Sequence, residues 1–189
     1  MVLTDFWATA EKPEYPTSTN VRTPFVESVI PLFKYLSTTM GSVTFVWCEK
    51  GLSIRMPQYA KLMDGIGTTL FDKTDHILIE SSGQIDGLHA EEDTLKLMEH
   101  MSVCLHEEKG RYQQVFHVTS VKKRLFGIQV VGLKVTLPSS FVSHDSLWAC
   151  LWERSALVLN RWNQQKYWFQ AFELIARLMD VLREQDLVT

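Results

Sequence analysis

Residues 146–186 read SLWACLWERSALVLNRWNQQKYWFQAFELIARLMDVLREQD, a stretch without Gly or Pro that is rich in Leu, Ala, Arg, Gln and Glu. These residue types favour the helix, and about forty consecutive positions pass without a residue that would break it. We therefore predict one long C-terminal helix over about residues 145–186. A straight helix of that length would measure roughly 60 Å. We expect it to bend, to split near residues 160–163, or to project towards a partner.

Large apolar side chains lie on more than one side of this predicted helix. A row with alternating steps of three and four is expected to pack on the domain itself, and it comprises Trp148, Leu151, Val158, Trp162, Phe169, Phe172, Ala176 and Met179. A helix that is apolar on two sides must be buried on two sides, whereas one sheet covers only one of them. We therefore predict a protein partner, with a homodimer as the simplest case. The predicted interaction residues are Trp148, Trp152, Leu157, Trp162, Trp168, Phe172, Ile175 and Leu182.

The rest of the chain mixes helical and strand patterns. Apolar residues recur at helical spacing between Thr23 and Gly41 and between Glu91 and Gly110. Other segments are predicted as strands (43–48, 52–56, 77–79, 112–118 and 125–137) and as a short helix (57–63). The 125–137 segment is apolar on both faces, which is typical of a central strand.

These patterns predict a single α+β domain over residues 23–189, preceded by a poorly ordered arm, residues 1–22. Its sheet is expected to be antiparallel or mixed, with about five strands. N-terminal, middle and long C-terminal helices are expected to pack on that sheet.

The composition argues against several classes of protein. The chain has 189 residues, 46% of them hydrophobic, and a net charge of −3, which gives no general attraction to nucleic acid or anionic membranes. No segment has the run of about 20 apolar residues that a membrane span needs, and the N-terminus does not resemble a secretory signal. An odd count of three cysteines favours free thiols in a reducing compartment. We therefore expect a cytoplasmic or nuclear protein without a membrane span.

One basic cluster makes nucleic-acid binding an alternative. Lys122, Lys123 and Arg124 lie at the predicted turn of a long hairpin, and Arg111 and Lys134 can lie near it. A basic hairpin tip can contact phosphates while neighbouring aromatic rings stack on bases. A solvated turn explains the same residues, and the acidic overall charge disfavours strong non-specific binding.

Candidate catalytic and metal-binding groups are few and incomplete. His100 and Cys104 are four residues apart on a predicted helix, but the further ligands of a zinc site are missing. Residues 143–145 are Ser-His-Asp, yet consecutive side chains diverge, and a helix N-cap explains them better than a catalytic triad. Gly65 and Gly67 form a lone G-x-G, which we interpret as a helix stop. We predict no catalytic residue, no cofactor and no metal.

The sequence therefore favours a non-enzymatic function. The leading hypothesis is an intracellular adaptor, or a viral accessory or structural protein, that acts through an aromatic-rich C-terminal helix. Nucleic-acid binding through the basic cluster is the first alternative. A cysteine- or metal-dependent hydrolase is the second.

Overall fold

The computed structural model describes residues 22–51, 62–82, 87–111, 122–143, 147–158 and 162–187, together with Thr4, Trp7, Ala8, Glu11 and Asp145. A π-helical segment (Phe25–Val29) leads into helix α1 (Ile30–Met40), which is followed by strands β1 (Val43–Gly51), β2 (Leu62–Thr69) and β3 (Asp75–Ser82). Helix α2 (Gly87–Arg111) comes next, and after it strands β4 (Arg124–Val131), β5 (Lys134–Val142) and β6 (Trp148–Leu157). A 3₁₀ segment (Trp162–Tyr167) then leads into helix α3 (Trp168–Asp186).

The strands form one six-stranded sheet in the order β1-β2-β3-β4-β5-β6. Neighbouring strands are antiparallel except for β3 and β4, which are parallel and have α2 between them in the sequence. The predicted α+β fold with N-terminal, middle and C-terminal helices is confirmed. Among the described residues the sheet is mixed, and it has six strands where about five were expected.

Helices cover both faces of this sheet. Helices α1 and α3 share one face, around a core that contains Phe33 and Phe126. Helix α2 packs on the opposite face, over a smaller core that contains Leu78 and Met101. We name these two sides the α1/α3 face and the α2 face. Strands β3 and β4 therefore bury apolar side chains on both faces, as predicted for the segment that begins at residue 125.

The predicted continuous helix over residues 145–186 is wrong. Residues 148–157 form β6, which pairs antiparallel with β5 at the edge of the sheet, and α3 begins only at Trp168. The predicted core row also fails within α3, because Phe169 is 70% exposed and Ala176 is exposed. The helical spacing of that row was counted from Trp148 and Leu151, which belong to a strand. The buried face of α3 consists of Trp168, Ala171, Leu174, Leu178, Val181, Leu182 and Gln185.

Residues 125–137, predicted as one strand, belong to two strands. Gly132 has a φ of +59°, which glycine adopts without strain, and it forms the tight turn between β4 and β5. Pro138 therefore lies inside β5 and does not end a strand. The end of the predicted helix at 57–63 is also wrong, because β2 begins at Leu62. The predicted strands at 52–56 and 112–118, and almost all of the predicted arm, lie outside the described residues.

Gly65 and Gly67 make room for two aromatic rings and do not stop a helix. In the β1–β2 pair, Gly65 lies opposite Trp47, and Gly67 lies opposite Phe45. A Cβ atom on Gly65 would come within 2.8 Å of Trp47 Cε3, and one on Gly67 within 2.7 Å of Phe45 Cε1. The two rings are stacked with their centroids 5.5 Å apart. The G-x-G pattern is therefore a packing feature of β2.

We expect Gly67→Ala to lower the free energy of unfolding by about 1–3 kcal/mol, as overpacking of a filled site does. The added Cβ would also lie 2.9 Å from Ile77 Cβ, an atom next to the backbone that cannot easily move away. Urea denaturation measures the change. The matched control is Gly110→Ala in the last turn of α2, where a Cβ would meet nothing within 4 Å. That variant is expected to be neutral or slightly stabilising, and equal losses in both variants would contradict the packing role of Gly67.

Candidate interaction surface

Four exposed large apolar side chains lie on the edge strand β6, among them Leu151 at 47% exposure. Trp148 is 37% exposed, Trp152 is 56% exposed and Leu157 is 45% exposed. Among the described residues, β6 pairs with β5 on one side and with no strand on the other. A long apolar edge strand is a surface that proteins normally cover or protect.

Trp152 lies on the α2 face of the sheet. In the β5–β6 pair it stands opposite Pro138, and directly opposed residues of two strands point to the same face. Pro138 and Met101 of α2 both lie within 3 Å of the position that a Cβ on Gly127 would occupy. Pro138 therefore points towards α2, and so does Trp152.

Trp148 and Leu157 lie on the same face as Trp152. Trp148 stands opposite Val142, which packs against the core under α2. Leu157 stands opposite Lys134, whose neighbour Val135 points into the core of the other face. We name Trp148, Trp152 and Leu157 the β6 apolar row. Helix α2 packs on β3, β4 and β5, so that the row lies beyond it.

Pro138 explains an irregularity in the middle of β6. On β5, Leu137 stands opposite Arg154 and the next residue, Pro138, stands opposite Trp152. Glu153 is therefore an extra residue on β6 with no opposite residue on β5, which is a β-bulge. Proline has no backbone N–H to donate, and a bulge is where a sheet tolerates it. The bulge lets the Glu153 side chain accept hydrogen bonds from residues on the α1/α3 face.

Glu153 joins three parts of the fold. Its Oε1 accepts a hydrogen bond of 2.7 Å from Ser139 Oγ on β5 and one of 3.2 Å from Arg124 Nη1 on β4. Its Oε2 accepts hydrogen bonds from Arg177 on α3, at 2.9 Å from Nη2 and 3.2 Å from Nε. Burial alone would raise the pKa of Glu153, but the hydrogen bonds from Ser139 and Arg177 and the charges of both arginines lower it. The strand that carries the apolar row is thus fixed to α3.

The other predicted interaction residues contribute little exposed surface. Trp168 is only 6% exposed and Leu182 only 2% exposed, so both side chains belong to the core of the chain and are not available for the predicted contact with a partner. Phe172 and Ile175 are partly buried and pack against the same core. Trp162 lies in the 3₁₀ segment, and its side chain is outside the described part of the structure. Of the predicted set, Trp148, Trp152 and Leu157 are brought together in one exposed line.

The basic residues of the nucleic-acid alternative do not form one patch. Lys123 forms ion pairs with Glu108 on α2 and, at 3.9 Å, with Asp72. Arg124 is held by Glu153, with its guanidinium 5.1 Å from the centroid of the Phe141 ring. Lys122 is exposed beside Lys123, and its backbone carbonyl accepts a hydrogen bond from Gln185.

The remaining two basic residues lie elsewhere. Lys134 is the first residue of β5, whereas Arg124 stands opposite Phe141 near the other end of that strand. At strand spacing, Lys134 and Phe141 are roughly 23 Å apart along β5. Arg111 ends α2, and its side chain is outside the described residues. A role of these residues in nucleic-acid binding stays a prediction.

The candidate catalytic and metal-binding residues lie in the core or in a turn, where their contacts support the fold. Cys104 and His100 are buried at 5% and 3% exposure, and Cys104 belongs to the core under α2. Ser143 closes the β5–β6 turn by hydrogen bonds with the backbone of Leu147, so the predicted helix N-cap there is wrong. Burial raises the pKa of the Cys150 thiol, which disfavours the reactive thiolate. No group of three potential metal ligands occurs among the described residues.

Asp72 organises a polar cluster at the β2–β3 turn. It accepts hydrogen bonds from Thr69 and from the backbone and side chain of Thr74, and its Oδ2 lies 2.9 Å from His76 Nε2. Burial acts to raise the pKa of Asp72, but these hydrogen bonds outweigh it and hold the pKa well below the usual range. A catalytic relay uses both ring nitrogens of histidine, whereas here the same Nε2 contacts Thr74 and Asp72. The cluster therefore stabilises the turn.

The two lowered carboxyl pKa values predict how stability changes in acid. Their stabilisation is present above the ordinary values of 3.8 for Asp72 and 4.5 for Glu153, and is lost as the pH falls below them. Glu153→Gln is expected to cost about 2 kcal/mol of unfolding free energy at pH 7 and to flatten this acid dependence.

The matched control is Glu173→Gln, which removes a more exposed partner of Arg154. Its cost is expected to stay below about 1 kcal/mol. Urea denaturation between pH 3 and pH 7 measures both variants. An unchanged acid dependence in Glu153→Gln would contradict the assigned role.

Comparison of the chain with protein-family models, with curated proteins and with solved structures finds no match. In the described part of the chain, none of the helices combines the length and apolar content that a membrane span requires.

Proposed function

We propose that this chain is a non-catalytic adaptor or assembly protein that binds protein through the β6 apolar row, with a second copy of itself as the partner. One observation carries the proposal: Trp148, Trp152 and Leu157 stand in line on a strand face that α2 leaves open. At strand spacing the row is roughly 30 Å long. Aligned exposed apolar residues, with Trp prominent among them, are typical of interfaces.

The geometry favours packing of side chains over extension of the sheet. The bulge at Glu153 interrupts the regular alternation of hydrogen-bonding groups along β6. A bulge in an edge strand is one of the ways in which proteins oppose the addition of another strand. The partner in our proposal therefore covers the α2 face of β6 and does not add a ladder to its edge.

The charges favour a second copy as the partner. Along the α2 face, β6 presents Trp148, Cys150, Trp152, Ser155 and Leu157, none of which is charged. Glu153 and Arg154 instead form ion pairs with Arg177 and Glu173 of α3. Two copies related by a two-fold axis can therefore bring their rows together without like-charge repulsion, and two-fold pairs are the commonest assemblies.

This role suits an intracellular adaptor as well as a viral accessory or structural protein. Three free cysteines fit a reducing compartment, and we place the protein in the cytoplasm or the nucleus on that basis. The proposed interface needs no cofactor.

Trp152→Ser tests the proposal. If the row is the interface, the substitution removes a central aromatic anchor, and the dimer Kd is expected to rise at least about thirtyfold. Size-exclusion chromatography with light scattering over a dilution series measures the Kd. Circular dichroism and urea denaturation establish that the variant remains folded, which is expected because the Trp152 side chain is 56% exposed.

The matched control is Leu95→Ser on α2, which removes a 66% exposed apolar side chain outside the row. It is expected to leave the Kd unchanged. A parent protein that is monomeric even at high micromolar concentration would refute the second copy as partner. Equal effects of Leu95→Ser and Trp152→Ser would refute the row as the interface.

A further inference from the structure

A buried polar pair lies under the N-terminal half of α2. Glu80 on β3 and Gln129 on β4 stand opposite each other in the parallel pair at the centre of the sheet. Glu80 is 5% exposed and Gln129 is 8% exposed. The preceding α2-facing positions on the same strands, Leu78 and Gly127, are apolar. The contact between the sheet and α2 thus changes from apolar at residues 78 and 127 to polar at residues 80 and 129.

The polar pair is bound by residues 90–96 of α2. Gln129 Nε2 donates one hydrogen bond of 3.2 Å to the carbonyl oxygen of Ala90 and another to Thr94 Oγ1. Lys96 Nζ donates to Glu80 Oε1. The second carboxyl oxygen, Glu80 Oε2, is buried and has no hydrogen-bond partner among the described residues. A buried carboxylate with one oxygen unsatisfied is costly when it is ionised.

The C-terminal half of α2 is held differently. Leu97, Met101, Cys104 and Leu105 are all at most 5% exposed and share an apolar core with β2, β3 and β4. No titratable carboxyl group belongs to that core cluster. The main anchor of this half on the sheet is therefore apolar, although His100, at 3% exposure, and buried carboxyl oxygens of Glu107 and Glu108 also belong to it.

The surroundings of Glu80 favour its neutral form. Burial raises the pKa of Glu80 to about 7 from its ordinary value of 4.5, although the hydrogen bond and the charge of Lys96 act to lower it. Among the described residues, the negative charges of Asp64 on β2 and Asp93 on α2 raise the pKa of Glu80 further. Asp64 itself accepts a hydrogen bond of 2.9 Å from the backbone N–H of Ser81 and lies 3.5 Å from Arg22.

We propose that residues 87–96 of α2 form a pH-dependent segment, docked on the sheet while Glu80 is neutral and loosened when Glu80 ionises. The C-terminal half of the helix stays in place because its anchor is apolar. The proposal is independent of the homodimer, since it concerns contacts within one chain. The segment lies level with the Leu157 end of the β6 apolar row, because Gln129 stands opposite Thr136, and Thr136 opposite Ser155.

The sign of the effect follows from the raised pKa. Between pH 4.5, the ordinary pKa of Glu80, and about pH 7, Glu80 holds a proton in the docked state that it loses in the open state. The stability of the docked segment is therefore full below this pH range and falls as the pH rises through it. With a Glu80 pKa of 4.5 in the open state and about 7 in the docked state, the equilibrium constant for opening increases about tenfold between pH 6 and pH 8.

Amide hydrogen exchange of the full-length protein between pH 6 and pH 8, corrected for the intrinsic pH dependence of exchange, tests the proposal. The opening constant of residues 91–96 is expected to rise about tenfold, while that of residues 101–105 stays nearly constant. Glu80→Gln is expected to abolish the rise. Glu91→Gln, which changes an exposed carboxyl group on the same helix, is expected to keep it.

Lys96→Met gives a second, independent measurement. Without the cation, the pKa of Glu80 is expected to rise further, so that opening between pH 6 and pH 8 increases by more than the parent's factor of about ten. The proposal is overturned by exchange that is independent of pH in the parent, by an equal rise in residues 101–105, or by a rise that persists in Glu80→Gln.

Discussion

The parallel pairing of β3 with β4 is the constraint on which the rest of the architecture depends. Two parallel neighbours cannot be joined by a tight turn, so the chain must cross over one face of the sheet, and α2 lies on that crossover. Helices α1 and α3 occupy the opposite face. Six strands extend over roughly 24 Å, whereas one helix is about 10 Å wide. Within the described part of the chain, one crossover helix covers the middle of its face, and the edge strand β6 keeps its apolar row exposed.

Pro138 imposes a second, local constraint. It lies one strand in from the edge, where its missing N–H would leave a gap in a regular ladder. The bulge opposite Pro138 places Glu153 beside Ser139 and Arg177, and so turns an irregularity into a connection between β6 and α3. The same bulge disturbs the free edge of β6. The strand is therefore firmly held on its inner side and poorly suited to adding a further strand on its outer side.

Much of the fold could be predicted from local patterns, because apolar spacing reports the face that an element buries. The helix after Thr23, the strand around residue 78 and the two-sided apolar strand after residue 125 were all recognisable in this way. Residues 148–157 were not, because Leu, Ala, Glu and Arg favour helix intrinsically while pairing with β5 decides their conformation. The alternation of Trp148, Cys150 and Trp152 was the available strand signal. The aromatic members of the surface could thus be named from sequence, but the face and element that carry them could not.

The stacked rings of Phe45 and Trp47 over Gly67 and Gly65 have an evolutionary consequence. Each ring occupies the volume that a side chain on the facing glycine would need. A bulkier residue at either glycine can become acceptable only after the opposite ring has become smaller, and a smaller ring leaves a cavity until the glycine is replaced. The two opposed pairs are therefore expected to vary in concert among related chains. Each pair passes through a less stable intermediate in whichever order the two replacements occur.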